Sequence, residues 1–461
     1  MDSLRELLEL TAHSAATYLE GIDERAVNAA ASGPELRAAL AKPLPEAPTD
    51  PARVVEELVE AADPGIVASA GGRYFGFVTG GSLPAALAAD WLSSAWDQNG
   101  FSYVMSPAAA VVEEVAGSWL KELLGLPSTA SVGFVTGAQM ANVTALAAAR
   151  HFVLERAGWD VARQGLRGSP PLRVFVGEER HATVDTSLRL LGIGSEQIEI
   201  VPADGHGRLR TAELGRALDD EPTIVCAQAG NVNTGAFDPL GELADATTAT
   251  GAWLHVDGAF GLWAGASPRL RHLVEGVERA DSWASDAHKW LNVPYDSGLV
   301  FCAHANAHRA ATAVVGAYLV TADAERDGGA WTPEASRRTR GFPVYAAIRS
   351  LGRSGIAELV ERCCRHARRF AELLGEATDV QVLNDVVLNQ VLVRFGDDDN
   401  RTREVIRHVQ QEGTAWFGGT VWHGRAAMRI SVTSWRTTEK DVERSVEAIL
   451  EAAATVSGAL R

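Results

Sequence analysis

From about residue 105 to residue 302 the chain alternates short, continuously apolar runs with helix-length amphipathic stretches, and no other feature narrows its fold as far. The apolar runs cover residues 132–136, 173–176, 198–201, 223–227, 253–256, 282–284 and 298–302, and helical patterns such as 138–156 and 240–250 fall between them. A strand that is apolar on both faces has to be covered on both. Helices interleaved with such strands provide that cover, so the pattern predicts an α/β fold with a mainly parallel central sheet and helices on each side.

The flanks read differently. Leu4, Leu7, Leu8 and Leu10 open an amphipathic helical region of some 60 residues, and Pro43, Pro45, Pro48 and Pro51 punctuate a linker near its end. An aromatic stretch, Arg73-Tyr74-Phe75-Gly76-Phe77, precedes a helical segment from Pro84 to Trp96. Beyond residue 340 a long helical pattern (343–374) leads into strand-like runs at 380–383, 390–394 and 428–432 with helices at 402–412 and 438–454, which predicts a small C-terminal α+β domain. The expected division is an N-terminal helical segment (1–90), a large α/β domain (91–340) and the small domain (341–461), since 461 residues exceed what one core holds.

A net charge of −17 without any Lys/Arg-rich block argues against nucleic acid or an anionic membrane as partner. The first residues show no basic stretch followed by an apolar run, and no uninterrupted apolar stretch approaches a membrane span. Cys226, Cys302, Cys363 and Cys364 lack metal-ligand spacing. A reduced, cytoplasmic, metal-free protein is expected.

Chemistry concentrates at the ends of the predicted strands, where open α/β sheets bind their ligands. Thr136-Gly137-Ala138-Gln139 follows one strand and opens a helix, so its backbone N–H groups suit a phosphate, although an ordinary βα turn looks the same. Asp257 ends another strand; a buried acid there wants a cationic partner, such as a protonated pyridine nitrogen, or caps the next turn. His255, two residues earlier, is read as a strand residue facing the other way. His181 follows the run 173–176 at a helix start, where an imidazole can stack on a planar ring and exchange protons. Lys289, preceded by Asp286 and His288, lies between two apolar stretches. Alone it is as easily a snorkelling or ion-paired side chain, but a lysine so placed can also supply a neutral amine for Schiff-base chemistry. Phosphate turn, histidine, acid and lysine in this order form the set a pyridoxal-phosphate enzyme needs.

The segment Asp286-Ala287-His288-Lys289-Trp290-Leu291-Asn292-Val293-Pro294-Tyr295-Asp296-Ser297-Gly298 resembles the group II pyridoxal-phosphate-dependent decarboxylases, which act on aromatic amino acids, tyrosine, tryptophan or glutamate. The likeness spans roughly residues 70–450 and includes Gly100-Phe101-Ser102-Tyr103, Gly235-Ala236-Phe237-Asp238-Pro239, the Asp257 motif and Arg429-Ile430-Ser431-Val432. It implies the aspartate-aminotransferase-like fold (fold type I), pyridoxal 5'-phosphate as cofactor, and Lys289 as its Schiff-base residue. Asp257 would pair with the ring nitrogen, His181 stack on one ring face and Ala259 pack on the other. Thr136, Gly137, Ala138, Gln139, His288 and Asp286 would surround the phosphate. The resemblance also implies an intertwined homodimer with the active sites at the interface, where Tyr74, Phe75, Phe77, Phe101 and Tyr103 would line an aromatic substrate pocket and Asn99 could select a polar side chain.

Two departures stand out. Where relatives carry a Gly-Thr-Thr run this chain has Gly230-Asn231-Val232, which makes Asn231 a changed cofactor contact. The stretch 325–331 holds no counterpart of the loop tyrosine that relatives use as a proton donor, and Tyr318 is the nearest phenol. Decarboxylation of an L-amino acid, an aromatic one favoured, to its amine is the leading expectation, while loss of that phenol goes with aldehyde formation in relatives. An aldehyde synthase or a carbon–carbon lyase on the same scaffold is the alternative, and an inactive cofactor-binding partner protein is the rival of a different class.

Overall fold

Seven strands form the sheet that positions the site: β1 Ser131–Val135, β2 Arg173–Gly177, β3 Ile198–Val201, β4 Thr223–Gln228, β5 Trp253–Asp257, β6 Ser282–Asp286 and β7 Gly298–Cys302. Their order across the sheet is β1-β7-β6-β5-β4-β2-β3. This is a computed structural model, and it describes residues 2–314, 316 and 325–459. Strands β2 to β6 run parallel, while β7 lies antiparallel between β1 and β6. The reversal has a simple cause: β6 and β7 are joined only by residues 287–297. A parallel crossover usually needs a helix and a dozen or more residues, whereas an antiparallel return needs neither.

Every residue of β1, β4, β5, β6 and β7 is buried, as the continuous apolar runs predict for a sheet covered on both faces. Val174, Val176, Ile224, Cys226 and Trp253 pack with Leu146, Val153 and Leu154 of the helix Ala138–Arg156. Nearer its start the same helix meets the sheet through Ala141 and Ala145, against Val135, Ala284 and Val300. These small side chains bring the helix axis close to the strands.

The chain divides into two compact units. One comprises Gly80–Arg368 with Leu383–Leu392 and contains the seven-stranded sheet; the other comprises Met1–Thr79, Arg369–Val382 and Val393–Arg461. In the second, the helices Asp2–Gly21, Gly33–Leu40 and Pro51–Ala62 account for the N-terminal helical pattern, and the proline-rich stretch before Asp50 is exposed coil. Asp50 caps the third helix, accepting from the N–H groups of Ala52 and Arg53. Phe75, Phe370 and Phe417 pack together, ring centroids 4.9 Å and 5.3 Å from that of Phe75.

The smaller sheet runs β10-β11-β9-β8, with β8 Val380–Val382, β9 Gln390–Phe395, β10 Gly418–Trp422 and β11 Arg425–Ser431. β10 is absent from the sequence expectation, because Gly418 and Gly419 give it no strand signature. It is created by a two-residue hairpin turn at His423-Gly424, both with positive φ (48° and 75°), a geometry that matches the twist of the strands it joins.

Candidate active site

The short return between β6 and β7 delivers the lysine. Registers align Asp286 with Gly298 and Gly298 with Val135, so the end of β6, the start of β7 and the end of β1 meet along one line. A methyl group on Gly298 would collide with the Gly137 backbone, so only glycine allows β7 to lie this close to the turn opening the helix Ala138–Arg156. Lys289 follows, its side chain 18% exposed and its Nζ 3.1 Å from Asp286 Oδ2. Trp290 and Leu291 are buried beside it. Asn292 adopts φ 53° and donates from Nδ2 to the carbonyls of Lys289 (3.3 Å) and Trp290 (2.9 Å), which closes the turn around the lysine.

Asp286 does more than pair with Lys289. Its Oδ1 accepts the Ala138 N–H at 2.6 Å, at the positive end of the helix dipole. The donor assigned to a phosphate by the sequence is thus held by a carboxylate of this chain. His288 Nδ1 lies 3.5 Å from the same oxygen and makes no hydrogen bond although it is buried. Burial lowers the His288 pKa, favouring the neutral imidazole. The buried hydroxyls of Ser285 and Ser297 likewise make no hydrogen bond. The Tyr295 ring lies 4.4 Å from that of His288. Of the remaining turn residues, Thr136 and Gly137 are half-buried and Gln139 is exposed.

Asp257 ends β5, buried, between Gln228 of β4 and Ala284 of β6. Its carboxylate accepts from Asn142 Nδ2 at 3.1 Å and from the Ala259 N–H at 3.2 Å. Both are neutral donors, so its negative charge is held but not cancelled. Ala259 in turn accepts the N–H of Asp286 at 3.0 Å, tying the two acidic segments together. His255 does not face the other way: residues two apart on a strand share a side, and its imidazole reaches Asn142, the same residue that holds Asp257.

His181 is the N-cap of the helix Ala182–Leu190. Its Nδ1 accepts the Thr183 N–H at 3.3 Å and lies 2.7 Å from Thr183 Oγ1; a neutral ring that accepts at Nδ1 carries its proton on Nε2. A cavity of about 10 Å³, room for one water, is lined by His181, Gln228 and Asp257 among others. Asn231 also has a structural role. Its Nδ2 donates to the Glu179 carbonyl at 3.0 Å and its Oδ1 accepts from the N–H groups of Asn233 and Thr234, so the side chain is spent on holding the loop that carries His181.

The aromatic candidates separate. Phe75, 1% exposed, is enclosed in the phenylalanine cluster of its own unit, so the expectation that it lines a pocket fails on packing. Tyr74 and Phe77 both stack on Trp416, and Phe77 is 66% exposed with φ 55°. Asn99 is not free to select a substrate: its Oδ1 accepts the N–H groups of Phe101 and Arg337. Half-buried Phe101 and Tyr103 are stapled to the stretch 325–331, through Gly329 N–H to Phe101 O (2.7 Å) and Tyr103 N–H to Asp327 Oδ1 (2.8 Å). Arg326 in that stretch is half-buried and donates to Val132 O. These bonds fix the Phe101 and Tyr103 backbones and leave their rings unassigned, while Tyr318 lies outside the described residues.

A larger cleft, of about 650 Å³, is lined by His206, Arg208, His272 and Arg279 with several carboxylates and includes none of the candidate residues. The smaller strand-end site is the one with unmet chemistry. It offers unused polar atoms beside a helix N-terminus for an anion, a carboxylate with only neutral donors for a cation, and an amine for a carbonyl. Those features fit pyridoxal phosphate. Sequence reasoning missed Asn142, Asn292 and Tyr295, although a polar residue among the alanines on the buried face of the helix Ala138–Arg156 was a visible signal for Asn142.

Residues 34–395 match the model of the pyridoxal-dependent decarboxylase conserved domain. An aromatic-L-amino-acid decarboxylase of Bacillus atrophaeus is 27% identical over 425 residues, covering 88% of this chain and 86% of the relative. Tryptophan decarboxylase 1 of Oryza sativa subsp. japonica is 29% identical, covering 90% and 86%. The crystal structure of Oryza sativa TDC with PLP and tryptamine superposes with a TM-score of 0.92 at 25% identity, covering 99% of this chain and 98% of that one.

Proposed function

The chain belongs to the pyridoxal-dependent decarboxylase family, and we propose that it removes the α-carboxylate of an L-amino acid, preferentially an aromatic one, as CO₂ and releases the amine. The observation that carries this reading is the meeting of Ala138, Asp286 and Lys289 at the ends of β1 and β6, with Asp257 at the end of β5 linked to them through Ala259.

Lys289 would hold the cofactor through its amine, Asp257 its ring nitrogen, His181 and Ala259 its two faces, and the 136–139 turn with His288 its phosphate. When bound, pyridoxal phosphate supplies an electron-accepting ring that takes up the electron pair left by the departing carboxylate. The chain's own groups do the rest. Asp286 holds the Lys289 ammonium and orients it. Asp257 keeps a full negative charge where a cationic nitrogen is to be stabilised. His181, with its proton on Nε2, is placed to return a proton to the substrate carbon.

The described helices leave apolar side chains exposed, including Trp91, Leu92 and Trp96 on Pro84–Trp96 and Leu4 and Leu8 on Asp2–Gly21. Such faces support a homodimer in which residues 1–90 contribute to the interface. Phe101 and Tyr103 are the aromatic residues we assign to the substrate pocket of that dimer. No described helix is long and apolar enough to cross a membrane. None of the four cysteines, all buried, is in a disulfide, which supports a reducing compartment, the cytoplasm.

The test uses purified protein with pyridoxal phosphate and a panel of L-amino acids. A visible absorption band that is lost in Lys289→Ala, together with equal yields of amine and CO₂ from an aromatic substrate, is expected. Aldehyde, ammonia and peroxide in place of the amine would overturn the proposed product. Failure to bind the cofactor would overturn the whole reading.

A further inference from the structure

The buried face of β5 carries a line of polar side chains that the proposed chemistry leaves unused. Trp253 Nε1–H donates to Ser282 Oγ at 2.9 Å, and that hydroxyl lies 2.9 Å from His255 Nδ1. Across the imidazole, His255 Nε2 lies 2.9 Å from Asn142 Oδ1, and Asn142 Nδ2 donates to Asp257 Oδ2 at 3.1 Å. Trp253, Ser282, His255 and Asn142 are all buried, so each must satisfy its polar atoms inside this line.

The chemistry of each group places every proton. An ionised carboxylate only accepts, so Asn142 must turn its amide N–H to Asp257 and its carbonyl to His255. That carbonyl also only accepts, so His255 carries its proton on Nε2. Burial holds the His255 pKa down to about 4, which keeps Nδ1 bare. Nδ1 then accepts the Ser282 hydroxyl proton, and Ser282 Oγ accepts from the indole, which can only donate. Four donors in sequence point the same way and end on one oxygen of Asp257.

We infer that Asn142 is a positioning residue for the reaction: backed by His255 and Ser282, it fixes the orientation of the Asp257 carboxylate. The inference rests on the reading of Asp257 as partner of the cofactor ring nitrogen. Neutral donors suit the task better than a cation would. A lysine or arginine in place of Asn142 would satisfy the carboxylate and compete with the ring for its charge; a line of dipoles stabilises the anion and leaves that charge available.

The experiment compares the holoenzyme with Asn142→Ala, Asp257→Asn, the double variant and Ser282→Ala. It measures kcat, KM, the pyridoxal phosphate Kd from absorption, and the ¹⁵N spectrum of labelled histidine. Asn142→Ala should lower kcat by about 10- to 100-fold, the usual cost of losing an orienting partner, with a weaker effect on KM. Because Asn142 acts through Asp257, adding Asn142→Ala to Asp257→Asn should cost less than about 2-fold more, a strong departure from additivity. His255 should show the Nε2–H tautomer in the wild type and keep it in Ser282→Ala, where Asn142 Oδ1 still accepts that proton; if Asn142→Ala does not fold, Ser282→Ala carries the test, with a smaller fall in kcat that largely disappears when it is combined with Asp257→Asn. Effects of Asn142→Ala and Asp257→Asn that simply multiply, or a His255 protonated at Nδ1 in the wild type, overturn the proposal. If Asp257→Asn alone leaves kcat and Kd unchanged, it is the reading of Asp257 that falls.

Discussion

His181 shows how much one side chain can be asked to do at this site. Its Nδ1 caps a helix by accepting the Thr183 N–H, and a neutral ring that accepts there carries its proton on Nε2. His181→Phe preserves an aromatic face and removes that proton. The expected result is a bound cofactor with a normal absorption band and a kcat lower by about 10²- to 10⁴-fold, the usual contribution of general acid–base catalysis. Steady-state kinetics on the loaded variant check it, and an unchanged kcat would reduce His181 to a stacking surface. The strand-end positions of His181, Asp257 and Lys289 were legible in the sequence because each follows an apolar run, and ligands of such sheets bind at strand ends. The polar groups behind them were not. His255 was assigned to the wrong side although the period of two along a strand puts it with Asp257, and Asn231 gave no sign that its amide is consumed by the Glu179 carbonyl.

At the scale of elements, the return of residues 287–297 decides where the lysine stands. Asn292 bends this stretch with φ 53°, a conformation that asparagine tolerates far better than most residues, and holds two of its carbonyls. Asn292→Ala forfeits both hydrogen bonds and places an ordinary residue in the left-handed region. A loss of about 1–3 kcal/mol in stability is expected from the unsatisfied groups, measured by urea unfolding. Slower covalent attachment of the cofactor to Lys289 should accompany it, followed by absorption; attachment at the wild-type rate would mean the turn is not what sets the lysine. The seven strands of the large sheet were legible to within a residue or two; for β1 and β4 to β7 the reason is that burial on both faces leaves a continuous apolar run, while the edge strand β3 is partly exposed. The direction of β7 was not, since it follows from the length of a connection and not from the strand itself. β10 was hidden for the opposite reason: its partner β11 and the His423-Gly424 turn make it a strand, while its own glycines do not.

Across the whole molecule, buried imidazoles set how the fold responds to acid. Burial is the leading cause that lowers both His255 and His308 from 6.5 to about 4. Between those two values the unfolded chain binds a proton at each histidine and the folded chain does not. Their contribution to stability is therefore complete above about pH 6.5 and is lost as pH falls towards 4, at up to about 1.4 kcal/mol per pH unit for each. Asp238 works in the opposite sense over part of this range. Burial raises its carboxyl from 3.8 to about 6, so the folded chain binds that proton first and gains from acidification between about pH 6 and pH 4. Two histidines against one aspartate leave a net loss of about one proton's worth, roughly 1.4 kcal/mol per pH unit, to which His288, also lowered by burial, adds in the same direction. His308, bonded to Ser131 Oγ and the Trp331 carbonyl, takes no part in the proposed chemistry, so it can be removed to test the account. Urea unfolding of wild type and His308→Gln, at matched protein concentration and without cofactor, should give stability curves that converge as pH falls from 6.5 to 4. The variant is less stable at pH 7 because it lacks a buried partner, and its curve is flatter by about one histidine's slope. Parallel curves would show that His308 titrates alike in the folded and unfolded chain, and that its burial does not govern acid stability.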